Sequence, residues 1–404
     1  MKLIRRYAIL FFLLIIIAYA LGCGGQGRAV IPIVGMQSSP VPLHTCWARV
    51  LVDVTNEDRW RPMQYAMPVV DENVVYLGNT LNVFYAFAAD TGEILWSFKT
   101  AGPVECGAVV VGNTVVFGDG DGLVYCLDKA NGKVKWTYRV QGQVMGKLAS
   151  NGELVYIRTN HERLYAIKLA DGKWKWMQSR ELPANFTVRG DSSPVVDNGR
   201  VLIGFADGYF FAFDADTGSE MFKTLLQKGE RLTDVDATPI VDGEYMYVSS
   251  YGGTFYCLSR DNAAVQWTFN KGGINNAAIY KKNVYVGDDQ GFVHALNKKT
   301  GELLWSFDLR EHDLERSVAR SPRRTLKIAT APLVYYGVLL VASSNGYLYG
   351  LDLDSGKIVW RFWPGYGVTA GMRKAEDKLM VHTNYGTLYC LEPNVFFHPT
   401  ENQE

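Results

Sequence analysis

The sequence predicts an all-β protein: an eight-bladed β-propeller of four-stranded blades, its ring closed by an N-terminal strand. Three observations predict it. A template recurs along the chain: a Gly, an aromatic at +3, a second Gly at +10 and a Trp at +14, as in GLVYCLDKANGKVKW from Gly122 to Trp136. Upstream of each copy lies a short apolar strand such as NVVYLG, TVVFG, RVLIG or NVYVG. Forty glycines against 14 prolines supply many tight turns. Short strands at even spacing, separated by Gly and Asp turns, are how propeller blades read in sequence.

The bulk numbers fit one such unit. At 404 residues the chain exceeds an average domain, but repeat-built β folds reach this size as one body. With 48% hydrophobic and 20% charged residues, the composition is globular. Basic and acidic residues balance at 41 each, and without Lys2, Arg5 and Arg6 of the leader the net charge is −3. So weak an imbalance argues against nucleic acid or an anionic membrane surface as the partner.

Residues 1–22 read as a secretory leader. MKLIRR is a short basic start, and the apolar run from Tyr7 to Leu21 is short for a membrane span. It ends in ALGC, which resembles a bacterial lipobox with the order of Ala20 and Leu21 swapped. That resemblance implies lipidation of Cys23. An ordinary cleaved leader or an uncleaved anchor is the alternative. Gly24 after the cysteine implies the outer membrane rather than retention at the inner one, and several acyl chains would anchor stably, each buried CH₂ contributing about 0.8 kcal/mol. Residues 23–45, with Pro32, Pro40 and Pro42, read as a flexible tether reaching about 25 Å r.m.s..

The template recurs ending at Trp96, Trp136, Trp176, Phe222, Trp267, Trp305 and Trp360, with the widest interval between the last two. Phe222 replaces Trp, Ala263 replaces the second Gly, and His294 replaces the aromatic. The +3 aromatic and the Trp flank one tight turn and are expected to meet across it. An eighth copy, GTLYCLEPN from Gly386, stops before its Trp. CWARVLV, Cys46 to Val52, supplies it, so Trp47 is placed in the last strand of the eighth blade, which removes an exposed sheet edge. The propeller is therefore bounded at 46–394, with a C-terminal tail at 395–404.

Catalytic and metal patterns are absent from the sequence. The six histidines form no spaced metal pair, and no CxxC occurs. No GxSxG, Walker or GxGxxG stretch stands between a strand and a helix. His294 is expected to be a packed core residue, and GDGDG (118–122) a turn rather than a calcium loop. Cys126, Cys257 and Cys390 share one template position and read as buried free thiols. Cys46 precedes Trp47 and falls about opposite Cys390, so a disulfide locking the ring is expected in an oxidising compartment. Cys106 has no evident partner.

FTVRGDSSPVV (186–196) and RLTDVDATPIV (231–241) enter the fourth and fifth blades. Counted back from Phe222 and Trp267, Arg189 and Asp234 stand at the same offset, and so do Asp191 and Asp236. These are equivalent positions in neighbouring blades. In strand-like sequence Asp234 and Asp236 share a face, and the four positions are expected on the ring's rim. The repeat resembles the PQQ-like repeat of quinoprotein alcohol dehydrogenases and of non-enzymatic propellers. No adjacent cysteines occur, unlike in many of the enzymes. Lipobox, tether, single propeller and these two segments are similar to the BamB family, lipoprotein subunits of the BAM outer-membrane β-barrel assembly complex. The resemblance covers about residues 43–394. It implies no catalysis and no cofactor, an outer-membrane lipoprotein facing the periplasm, and docking on BamA POTRA domains through Arg189, Asp234 and Asp236 beside the apolar Phe186 and Val188. A purely structural bridge between blades is the alternative use of the charges. Whether unfolded outer-membrane proteins are contacted as clients stays open.

The segment 308–327 widens the interval between Trp305 and Trp360 and carries Arg316, Arg320, Arg323, Arg324 and Lys327. It is expected to be an exposed loop with a helical turn, solvated or touching a partner. Two other functions compete with the scaffold: a PQQ-dependent dehydrogenase and a periplasmic ligand-sensing propeller.

Overall fold

The computed structural model describes residues 43–52, 63–180, 192–227, 234–235, 237–251, 253–273, 275–312, 330–343, 346–365 and 367–393. Residues 1–42 and 394–404, which hold the expected leader, most of the expected tether and the expected tail, lie outside these residues. Thirty-two strands form eight four-stranded sheets, each an antiparallel meander. Blades 1 to 7 span 69–99, 109–139, 144–179, 195–225, 240–269, 278–308 and 333–362. Blade 8 takes Met372–Ala375, Lys378–His382 and Thr387–Pro393, and its outermost strand is Leu43–Val50.

Ring closure follows the sequence register. Trp47 sits opposite Cys390, as Trp96 sits opposite Ala86 and Trp136 opposite Cys126. The closing strand begins at Leu43, not Cys46, and the paired strand ends at Pro393. Two preceding prolines make Leu43, His44 and Thr45 read as tether. In the structure they extend the pairing, opposite Pro393, Glu392 and Leu391.

The strand sequences suit their layers. First strands are mostly short, and those of neighbouring blades approach one another, which places them innermost. Second and third strands are near-continuous apolar runs buried on both faces, such as Thr114–Gly118 and Leu123–Asp128. Fourth strands alternate exposed and half-buried residues because one face meets solvent, as in Ile94–Lys99. Every blade carries a bulge at the residue before the Trp slot. The sheet faces pack blade against blade in apolar clusters, with Tyr76, Phe84 and Phe117 among the fully buried rings between blades 1 and 2.

Residues 309–312 form a helical turn at the start of the charged segment, and 313–329 lie outside the described residues. Among the described residues no helix is long and apolar enough to cross a membrane.

Candidate functional site

The recurring Trp is a staple between blades. Its indole N–H donates to a backbone carbonyl in the next blade's turn: Trp96 to Lys129 O at 3.0 Å, Trp136 to Leu169 O at 2.8 Å, Trp176 to Ala215 O at 3.0 Å. The same bond joins Trp267 to Lys298 O, Trp305 to Leu353 O and Trp47 to Ala89 O. A second-strand tyrosine shares the acceptor in several seams, as Tyr156 does at Ala215 O, 2.9 Å. The +10 Gly supplies room for the ring. A Cβ on Gly218 would lie 2.6 Å from Trp176, and Gly218 also holds φ +73°. The expectation that the +3 aromatic meets the Trp is corrected. Ala86 faces Trp96, so Tyr85 points to the opposite side of the strand. Trp96 packs instead on Tyr76 and Phe84, with centroids at 6.0 and 6.1 Å.

The seam between blades 4 and 5 is built differently. Phe222 fills the Trp slot and Ala263 the Gly slot. Ala263 is fully buried at φ +55° and belongs to the cluster on which Phe222 packs. Charges add to the tie. Asp197 accepts from Arg200 Nη2 at 2.9 Å within blade 4 and from Arg260 Nε at 3.0 Å across the seam, with a second bond from Arg260 Nη2. Those hydrogen bonds, Arg260 first, hold the Asp197 carboxyl below the usual range against the opposing effect of burial.

The segments entering blades 4 and 5 are fastened to this seam. In blades 3 to 6, one residue per blade at a constant offset before the Trp slot forms a belt. Lys147 N–H donates to Ser193 Oγ at 2.7 Å, Ser193 N–H to Thr238 Oγ1 at 2.9 Å, and Thr238 N–H to Asn276 Oδ1 at 2.7 Å. Below Ser192, a buried Arg158 reaches Gly204 O at 2.9 Å and Glu162 at 2.7 Å. Glu162 in turn accepts from Ala206 N–H at 2.9 Å. Val235 N–H donates to Phe205 O at 3.2 Å, and Val235 lies so close to Gly204 that a Cβ there would sit 2.3 Å from Val235 O. The two segments therefore share one framework across blades 3, 4 and 5.

Of the expected docking residues the structure describes Asp234. It lies ahead of the strand Ile240–Asp242, not in a strand, and is 1% exposed. Its carbonyl accepts from Tyr251 N–H at 2.9 Å. The expected rim position is corrected to a buried one: the segment is pressed onto the blade 4 turn through Val235, which draws its neighbour inward. A buried carboxylate demands hydrogen-bonded or charged company. Phe186, Val188, Arg189 and Asp236 lie outside the described residues, as does Cys23.

The other singled-out residues are placed clearly. His294 is fully buried, with Nδ1 2.8 Å from Ser306 Oγ and Nε2 3.1 Å from Asp288. GDGDG is a turn: Asp119 Oδ1 accepts from Asp121 and Leu123 N–H, and its Oδ2 from Gly102 N–H and Tyr125 O–H. Cys46 and Cys390, the expected disulfide pair, stand unbonded in this structure. Burial pushes the thiol of Cys126 up to about 11, and those of Cys257 and Cys106 to about 12. Cys106, without a partner evident in sequence, hydrogen-bonds Gly118 O through its Sγ at 3.2 Å. The Arg158–Glu162 pair is not apparent from the repeat alone. Glu162 stands at the template's first position, normally Gly, and its φ of +52° bears that placement out. The signal available is an acid at a Gly slot four positions after an Arg.

Eight four-stranded blades, stapled at fixed template offsets, define a PQQ-like repeat propeller. The family model for outer membrane protein assembly factor BamB matches residues 79–307 and 270–394, and the chain belongs to that family. It is 27% identical over 215 residues to the outer membrane protein assembly factor BamB of Kangiella koreensis, a match covering 52% of each chain. The chain spans about half the length of the curated relatives it matches. In fold it is similar to BamB from Moraxella catarrhalis (TM-score 0.73, 20% identity, 87% of this chain and 99% of that one). It is also similar in fold to the quinohemoprotein alcohol dehydrogenase of Comamonas testosteroni (TM-score 0.68, 13% identity, 87% and 76%). At such identities these two likenesses concern the fold alone.

Proposed function

We propose that this protein is a non-catalytic scaffold lipoprotein, anchored through Cys23 to the outer membrane and facing the periplasm. It docks on the POTRA domains of BamA within the BAM machinery and assists the folding and insertion of outer-membrane proteins. The family match over 79–394 carries this reading. The framework across blades 3 to 5 supports the choice of surface, since it holds the described residues that adjoin the expected contacts, Ser192, Ser193, Val235 and Thr238. Burial of Asp234 refines the roles. Asp234 serves the fold of the seam, while Arg189, Phe186, Val188 and Asp236 meet the partner. An arginine beside apolar side chains is a common energetic centre of interfaces.

Affinity purification of the full chain from detergent-solubilised membranes tests this. The barrel-assembly protein is expected in the eluate, and Arg189→Ala with Asp236→Ala should deplete it while leaving the thermal transition in place. Absence of that protein, or retention by the double variant, contradicts the reading. Dye-linked alcohol oxidation on adding quinone and calcium would favour a dehydrogenase instead.

A further inference from the structure

All eight blades share one bulge, in which the residue before the Trp slot and the slot residue both oppose a single position on the third strand. The opposed pairs are Ala86 with Leu95, Cys126 with Lys135, Ala166 with Lys175, Ala212 with Met221, Cys257 with Gln266, Ala295 with Leu304, and Gly350 with Val359. At the closing pair of strands they are Cys390 and Cys46. Cysteine thus occupies the third-strand position in three blades but meets a cysteine only where the two ends of the ring join. The two side chains lie in one apolar cluster, Cys390 buried within it and Cys46 packed against it.

We propose that Cys46 and Cys390 form a disulfide that locks the closing strand into the ring. The strand Leu43–Val50 has a special need of it. Its partner strand is Thr387–Pro393, far away in sequence, so no turn joins it to its blade. It is outermost, and the chain preceding it leads to the proposed anchor, so a pull on that chain bears on this pairing. Cys46 is the unpaired bulge residue beside the Trp47–Cys390 pair, so it shares the third-strand position with Trp47, and a small shift of the bulge is enough to bring the two Cβ atoms to disulfide distance.

The chemistry is exchange with an external disulfide, either a disulfide-bonded thiol oxidoreductase or glutathione disulfide. Cys46, half-buried, is the thiol an oxidant reaches, and Cys390 is fully buried. The Cys46 thiolate attacks the oxidant's disulfide, forming a mixed disulfide and releasing one thiol. The Cys390 thiolate then attacks Cys46 Sγ, forming the intramolecular bond and releasing the second thiol. Both protein protons leave on the released thiols. Burial raises both cysteine thiols, so exchange is slow once the strand is seated and faster while it is being seated.

The cellular part rests on the proposed export of the chain, so two experiments separate the claims. In the first, the purified, reduced full chain is treated with glutathione disulfide, alkylated and digested. A reducible linked peptide joining Cys46 to Cys390 is expected, with a rise in Tm of roughly 5 °C. Cys46→Ser and Cys390→Ser should each abolish both, while Cys126→Ser preserves them. Full alkylation of both cysteines after oxidation, with Tm unchanged, overturns the proposal. In the second, the chain is isolated from cells with and without residues 1–22. The linked peptide from the complete chain alone supports both claims. Its formation in the purified chain but in neither cellular sample upholds the pairing and overturns the export.

Discussion

The seam between blades 3 and 4 and the seam between blades 4 and 5 solve one packing problem in two ways. At the first, Trp176 lies over Gly218 and donates to Ala215 O. At the second, a smaller ring, Phe222, meets a residue one methyl larger, Ala263, and the lost indole bond is replaced by Arg260 and Arg200 on Asp197. The sequence shows Phe222 and Ala263 as separate departures from the repeat, in different blades. In the structure Phe222 packs on the one apolar cluster that holds Ala263. The difference teaches that the ring holds a fixed seam volume, not a fixed residue, and that the exchanged seam is the one beside the proposed docking segments.

The largest expected effect is at the regular seam. Gly218→Ala forces an L-residue to φ +73° and drives its Cβ into Trp176, so it should cost about 3 kcal/mol in denaturant unfolding. A loss under about 1 kcal/mol would mean the seams are not close-packed. A comparable effect distinguishes the closing blade by pH. His382 is fully buried, donating from one ring nitrogen to Ala66 O in the segment entering blade 1, and burial pushes its pKa down to about 4. The unfolded chain then binds a proton that the folded one refuses. Stability is intact above about pH 6.5 and falls between there and pH 4, by about 3 kcal/mol in all. His382→Gln should remove that part of the slope, measured as the difference between the two pH profiles.

The compensated pair predicts a smaller, conditional effect. Phe222→Trp alone should destabilise by about 2 kcal/mol through overpacking. With Ala263→Gly the loss should largely vanish, leaving a coupling of at least about 1 kcal/mol. Additive costs would break the comparison. The smallest effect belongs to the seam between blades 7 and 8. The sequence after Pro393 holds no Gly for the template position, and the buried Trp360 indole N–H has no acceptor among the described residues. A small apolar cavity lined by Leu43, Tyr335, Tyr336, Val338, Leu340, Trp360 and Pro393 lies beside it. Trp360→Phe removes a donor with no acceptor among the described residues and should shift stability by about 1 kcal/mol or less, whereas Trp305→Phe loses a made bond to Leu353 O, which keeps only Tyr285 O–H at 3.2 Å, and should cost more.

Much of this was legible in sequence because a repeat reports the same environment many times. Blade number, the place of Trp47, the packed His294 and the turn at Asp119 all follow from template offsets. The failures occur where one blade differs from the average. Asp234 reads as a rim charge in any periodic scheme, and only the approach of Val235 to Gly204 reveals that it is buried. Leu43 to Thr45 read as tether because prolines precede them, while their pairing depends on a strand at the opposite end of the chain. Tyr85 and Trp96 flank one turn, yet the bulge and the strand's alternation set them on opposite faces.

The central proposal is that the irregular seam between blades 4 and 5 marks the surface that meets the assembly machine. Titrating the purified full chain against the isolated periplasmic domains of the barrel-assembly protein, with charge reversals at two places on the ring, tests it most directly. Arg189→Glu, in the segment leading into blade 4, should weaken binding about tenfold or more, while Lys281→Glu, exposed on blade 6, should leave it within about twofold. Equal affinities for the two variants, or a greater loss with Lys281→Glu, would contradict the account.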